Sequence, residues 1–193
     1  MAESSLHNEL EIARRIRAGD AEAYSSVFRR YYEPLCFFAA RYLHDIQAAE
    51  GIVQDVFVRL WESRETLGIQ SSLKSYLYAS VRNACLNHIK HENFSTSLDD
   101  EVERPDTAAA QPDIQVESAE LAEALEKAMS ALAPKCRQIF AMAKYDGLSY
   151  EEIAGILNIS INTVKTQLKR ALRSLSTSLQ HFQVLLLLLR WWW

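Results

Sequence analysis

Residues 148–175, LSYEEIAGILNISINTVKTQLKRALRSL, spell out two helices joined by a short turn, with a start signal written in front of each. Ser149 precedes Glu152 by three residues, the spacing of a capping box, and Leu148 and Ile153 flank that cap as a hydrophobic staple. The first helix is predicted to run to about Leu157. Asn158, Ile159 and Ser160 make a three-residue turn of the length a helix-turn-helix uses. Asn158 suits the left-handed conformation that closes many helices. Ser160 caps the second helix, with Ile159 and Val164 as its staple.

At about 100° per residue, Ile161, Val164, Leu168, Leu172 and Leu175 fall on one apolar stripe of that second helix. The opposite face carries Asn162, Lys165, Thr166, Lys169, Arg170 and Arg173, and Ser160 and Thr163 stand at its start. A helix that buries one side and offers cations and short hydrogen-bonding groups on the other suits the major groove of DNA. An ordinary helical hairpin with a solvated basic face is the plainer reading. It leaves unexplained why two complete caps surround a three-residue turn.

The chain has 193 residues, room for one medium domain or two small ones. Its 49% hydrophobic and 24% charged residues are ordinary for a soluble globular protein. A net charge of −4 looks wrong for a nucleic-acid binder until it is divided along the chain. Residues 92–126 hold eleven acids against Arg104 alone, a net −10 that leaves +6 on the remainder. The chain is thus a basic molecule with an acidic insert. Cys36, Cys85 and Cys136 are odd in number and widely spaced, which suggests neither a disulfide framework nor a cysteine zinc site. The first twenty residues lack the apolar core of a secretory signal, so a cytoplasmic location is expected. No Walker loop, HExxH or nucleophile elbow occurs. Neither enzymatic activity nor a cofactor is expected.

Helical periodicity pervades the chain outside the acidic segment, and no alternating run is long enough for a sheet. A short helix over about residues 7–18 ends at Gly19, and Asp20 caps the next. Pro34 lies inside that second pattern, where a straight helix would lose about 3 kcal/mol, so a kink or break is expected near Glu33. A third helix spans about residues 45–64, with Ile52, Val53, Val56, Phe57, Leu60 and Trp61 on its buried side. A fourth covers about 72–92. Residues 93–117, interrupted by Pro105 and Pro112 and dominated by acids, read as a flexible linker. A second helical unit starts near Ser118 and includes a helix at about 135–145. The expected architecture is all-α: one small helical domain over 1–92, the acidic linker over 93–117, a second over 118–180, and a hydrophobic tail over 181–193.

Residues 45–61, DIQAAEGIVQDVFVRLW, residues 75–89, SYLYASVRNACLNHI, and LAPKCRQIFAMAKYDGLSYEEIAGILNISINTVKTQLKRAL near the C-terminus together resemble the extracytoplasmic-function sigma factors of bacterial RNA polymerase. The resemblance runs from about Asp20 to Leu175 apart from the linker, in the family's domain order. It implies a promoter −10-binding domain, an acidic linker and a −35-binding domain. It further implies core RNA polymerase and promoter DNA as partners, and an anti-sigma protein, membrane-bound, as regulator. The third helix would then meet the polymerase through Gln54, Asp55, Arg59 and Glu62, while Phe57 and Trp61 also suit a plain core role. The loop over 66–73 and the helix after it would read the melted −10 element, since single-stranded bases are splayed out, stacked and hydrogen-bonded at their edges. Ser75, Tyr76, Tyr78, Arg82, Asn83, Asn87 and Lys90 supply such groups, and Asn83 matches the family position that helps form the pocket for an extruded base. The −35 contact would use Ser160, Asn162, Thr163, Lys165, Thr166, Lys169, Arg170 and Arg173. The chain departs from the family at Gly51, where an acid is usual; glycine inside a helix costs about 1 kcal/mol against alanine.

Cys85, His88 and His91 invite a metal reading, but ligands three residues apart on one helix spread too far in direction and rise to converge on one zinc. The end of the chain, HFQVLLLLLRWWW, has six consecutive apolar residues at 184–189, far short of the roughly 20 that cross a bilayer. Membrane association through it is not expected, and packing on its own domain or on a regulator is. Leucine-rich ends of this kind resemble the Bacteroidetes-type branch of the family. Two other classes compete: an activator that binds duplex DNA without polymerase, and a helical adaptor acting through the tail. The first does not explain residues 20–91; the second does not explain the cationic face.

Overall fold

The computed structural model describes residues 2–66, 68, 69, 72–96 and 119–178, and every regular element among them is helical. The chain divides into two compact units, residues 1–110 and 111–193. In the first unit, α1 (Ala2–Arg17), α2 (Ala21–Leu43), α3 (Ile46–Glu62) and α4 (Leu73–Thr96) pack together, with a 3-10 turn at Arg64–Thr66. In the second, α5 (Ala119–Ser130), α6 (Pro134–Lys144), α7 (Tyr150–Leu157) and α8 (Ile161–Ser178) form a smaller helical cluster. The expected linker overlaps the described residues only at 93–96, which continue α4. Its remainder, and the tail, lie outside the described residues.

Capping residues set the helix starts. Asp20 accepts from the N–H groups of Glu22 and Ala23 at 2.9 and 3.0 Å, and Asp45 from those of Gln47 and Ala48 at 2.8 and 3.2 Å. Each cap of this kind stabilises its helix by about 1 kcal/mol. The Ala23 N–H and the Arg15 guanidinium hold the Asp20 carboxyl below its ordinary range. Gly19, at φ +83°, makes the left-handed turn that lets α1 double back into α2.

The first core is built from Val27, Leu35, Phe38, Ala39, Val53, Phe57, Leu60, Leu77 and Val81, all nearly or wholly excluded from solvent. Phe28 and Tyr24 close on Phe57 from α2, and the Tyr24 hydroxyl donates to the Phe57 carbonyl at 3.1 Å. Glu9 joins three helices: its carboxylate accepts from the Tyr31 hydroxyl on α2 at 3.3 Å and from the Lys74 N–H at the start of α4 at 3.4 Å.

Two expectations are corrected here. Helix α1 starts at Ala2, earlier than the sequence suggested. The break at Pro34 does not occur, and α2 runs through it as one helix. Arg30 and Pro34 are both exposed, so the Arg30 carbonyl that loses its N–H partner is on the water-facing side and is satisfied there.

All three cysteines are free and buried, and Cys85 is wholly excluded from solvent. Burial pushes the Cys85 thiol from its ordinary 9.0 to about 11. In the unfolded chain that thiol ionises first, so stability is present below about pH 9 and declines as pH rises toward 11. The native protein at pH 8 is therefore expected to leave Cys85 unlabelled by iodoacetamide, with labelling only after unfolding; mass spectrometry of the labelled peptides reads this out. Denaturation midpoints should fall between pH 9 and 11, less so in Cys85→Ser after allowance for its lower starting stability.

Candidate nucleic-acid interfaces

Helix α7 and the turn from it into α8 are held by the chemistry that the sequence announces. Ser149 Oγ accepts from the Glu152 N–H at 3.2 Å, and the Glu152 carboxylate accepts from the Ser149 N–H at 2.9 Å, a complete capping box. Leu148 and Ile153 are both buried beside it. Asn158 ends α7 at φ 54°, ψ 51°, in the left-handed region. Ser160 Oγ then accepts from the Thr163 N–H at 3.1 Å and opens α8.

Val164, Leu168, Ala171 and Leu175 form the buried side of α8, at most 5% exposed, against α6 and α7. This corrects the predicted stripe. Ile161 is exposed at the first turn, Leu172 is half-buried, and Ala171 takes a central place because its small side chain allows close approach. Burying each larger side chain of the stripe contributes about 1.5–3 kcal/mol. A polar bond adds register: Cys136 Sγ on α6 donates to Gln167 Oε1 on α8 at 2.7 Å. Arg137 closes α5 onto α6 by donating to the carbonyls of Ser130 and Leu132 at 2.7 and 3.3 Å.

What remains outward on α8 is Asn162, Thr163, Lys165, Thr166, Lys169, Arg170 and Arg173, all exposed. Lys165, Lys169 and Arg173 recur every four residues and so line one ridge about 12 Å long. Among the described residues, none of Lys165, Lys169, Arg170 and Arg173 has an ion-pair partner. Four cations on one face of a helix seated by its other face make a positively charged surface, and Asn162 adds an amide able to donate and accept. The hydroxyls are committed locally: Ser160 and Thr163 pair at 2.8 Å, and Thr166 donates to the Asn162 carbonyl at 2.8 Å. Tyr145 and Tyr150, 54% and 38% exposed, flank the turn into α7 and were not foreseen. The capping box held the signal for Tyr150, because the residue after an N-cap begins the helix at its open end.

In the first unit the candidates on α4 separate. Asn83, Asn87 and Lys90 are exposed and fall on one ridge, while Ser75, Tyr76 and Arg82 are half-buried. The Arg82 Nε is shielded from water with no hydrogen-bond partner among the described residues, a donor in want of an acceptor. Tyr78 is withdrawn from this set. It is 1% exposed, with its ring edge-on to Phe38 at 4.9 Å, so no base can stack on it. Ser72 Oγ caps α4 by accepting from the Ser75 N–H at 3.1 Å; Leu67, Gln70 and Ser71 of the preceding loop lie outside the described residues.

On α3, Gln54, Asp55, Arg59 and Glu62 are all exposed, opposite the buried Ala49, Val53, Val56, Phe57 and Leu60. Gln54 donates to the Tyr32 hydroxyl at 3.1 Å, and Arg59 Nε to the Asp55 carbonyl at 3.2 Å. Phe57 is core; Trp61 is half-covered, between the Tyr24 ring at 4.9 Å and the Arg64 guanidinium at 4.7 Å. Cys85 is buried while His91 is exposed and His88 bonds Glu92 at 3.4 Å, so the three groups do not face one point. Among the described residues, no helix is long and apolar enough to cross a membrane.

Residues 27–94 match the family described as Sigma-70 region 2, and residues 122–175 match Sigma-70, region 4. The chain is 27% identical over 176 residues to the ECF RNA polymerase sigma factor SigW of Bacillus subtilis, covering 86% of this chain and 94% of that one. It is 23% identical over 178 residues to the ECF RNA polymerase sigma-E factor of Escherichia coli, covering 88% and 93%. Among solved structures it shares the fold of the sigma factor RpoE of Bartonella quintana, determined with the anti-sigma factor NepR. That match has a TM-score of 0.65 and 24% identity, covering 83% of this chain and 98% of that one. CnrH, solved with the cytosolic domain of CnrY, matches at a TM-score of 0.60 and 18% identity, covering 90% and 97%.

Reversing two charges on the α8 ridge tests its role. Lys169→Glu with Arg173→Glu is expected to weaken binding to a selected promoter duplex and to lower the slope of log affinity against log salt by about 2. Titrations between low and moderate salt measure both. Unchanged affinity and slope would remove these residues from the interface.

Proposed function

The chain belongs to the sigma-70 family, with regions 2 and 4 in family order, and from that premise we propose how its two units divide promoter recognition. As an ECF sigma factor it directs core RNA polymerase to promoters and initiates transcription. In our reading α8 lies in the major groove of the −35 element, with Lys165, Lys169, Arg170 and Arg173 on phosphates and base edges and Asn162 at the helix start. The observation that carries this reading is the ridge of exposed cations opposite the buried stripe.

The same reading gives α4 the melted −10 strand. Asn83, Asn87 and Lys90 offer exposed amides and a cation, and half-buried Arg82 a second cation, as groups that a splayed base and its phosphate can satisfy. The exposed face of α3 with Gln54, Asp55, Arg59 and Glu62 takes core polymerase. The protein does no chemistry of its own and holds no cofactor. It works in the cytoplasm, on the nucleoid when active. The regulator is an anti-sigma protein anchored in the membrane, a reading supported by the anti-sigma factor NepR bound to RpoE and by the cytosolic domain of CnrY bound to CnrH. The leucine-rich end supports placement in the Bacteroidetes-type branch.

Reconstitution with bacterial core polymerase and a genomic promoter library tests the proposal. Run-off transcripts that start downstream of one shared pair of elements are expected. Absence of transcripts, with tight binding of the free protein to duplex DNA, would mark an activator instead.

A further inference from the structure

A cleft of about 630 Å³ opens in the second unit between the α5–α6 turn and α8. Leu132 and Cys136 form its buried floor, and Ala131, Ala133 and Pro134 expose an apolar lip. That lip is an odd way to begin a helix. Asp20, Asp45 and Ser149 each put an accepting side chain at an N-cap, whereas Ala133 puts none before α6 and Pro134 brings no N–H. The N–H groups of Lys135 and Cys136, in the first turn of α6, then have no acceptor within the helix. A mouth that faced only water would gain from a polar cap; this one suits an apolar neighbour.

Where the chain goes next identifies that neighbour. Gln167, Arg170 and Ser174 form the α8 wall of the cleft, and Ser178, where α8 ends, continues their line about 40° from Ser174. From Gln167 to Ser178 the helix rises about 17 Å, and residues 179–183 can span up to about 18 Å when extended. The segment after them can therefore reach any part of the cleft. It holds six consecutive apolar residues at 184–189, then Arg190 and three tryptophans, with no acid among them. Such a run is favoured wherever water is excluded from it. Lys135 and Arg170 stand exposed on the rim, and tryptophan is the ring that best receives a cation. We propose that this cleft is the docking site of the chain's own residues 184–193, leucines on the floor and lip and tryptophans over Lys135 and Arg170. The ridge of Lys165, Lys169 and Arg173 is at least about 90° further around α8, so a seated tail leaves it open; Arg170 alone belongs to both surfaces. The proposal does not depend on the promoter reading.

Two variants of the full chain test it from opposite ends. Ala133→Asp puts a charge on the apolar lip while giving α6 the cap it lacks, so the tail should leave without loss of the fold. Chymotrypsin, which cuts after large apolar residues, should then cleave within 184–193 about tenfold faster than in wild type, with an equal or higher melting temperature. Leu186→Glu with Leu188→Glu alters the tail and leaves every cleft residue as it is. Hydrogen exchange at the Lys135 and Cys136 amides, which only a cover can protect, should rise about tenfold. Equal cleavage of wild type and Ala133→Asp, or unprotected Lys135 and Cys136 amides in wild type, would overturn the proposal. Protection that disappears on dilution would seat the tail in a second copy. Protection that appears only with phosphatidylglycerol vesicles or with core polymerase would give the tail to those partners, and either result would also overturn it.

Discussion

The burial of Val164, Leu168, Ala171 and Leu175 fixes which face of α8 is left over, and the rest of the second unit depends on that. An 18-residue helix is only marginally stable alone in water, so its packed stripe largely decides whether α8 persists. Once that stripe is seated, helical geometry leaves no freedom to the opposite face: Lys165, Lys169, Arg170 and Arg173 must point outward together. The capping box at Ser149 and Glu152 starts α7, and the left-handed Asn158 and the Ser160 cap set the angle at which α8 leaves it. The Cys136–Gln167 bond resists rotation of the helix about its own axis, which would carry the cations off any groove.

The first unit obeys the same logic with different chemistry. Its aromatic core, Phe57 against Phe28 and Tyr24 and Phe38 against Tyr78, seats α3 and α4 on α2. The leftover faces then differ. On α4 the exposed ridge is amide and cation; on α3 it is mixed in charge. Glu9 ties the start of α4 to α1 and α2, and with the Ser72 cap it satisfies the first backbone donors of that helix.

Much of this was legible from the sequence because the deciding signals are local. A serine three residues before a glutamate, an asparagine at a helix end and an apolar period of 3.6 each constrain a few neighbouring residues, and the turn at 158–160 has the predicted form. What the sequence hid depends on neighbours far along the chain. Ile161 and Leu172, at the edge of the α8 stripe, are exposed and half-buried, while Ala171 at its centre is buried despite being small. Tyr78 has the composition of a base-stacking residue but is enclosed by Phe38 on another helix. Pro34 leaves α2 unbroken because the carbonyl it disappoints is in water.

The central claim is that α8 and α4 act on different promoter elements, one on duplex and one on melted DNA. Reconstituted holoenzyme carrying Asn83→Ala tests it on a single promoter, with DNase protection upstream and permanganate reactivity of unpaired thymines downstream. The account predicts that upstream protection persists while downstream reactivity is largely lost. Loss of both together, or retention of both, would contradict it.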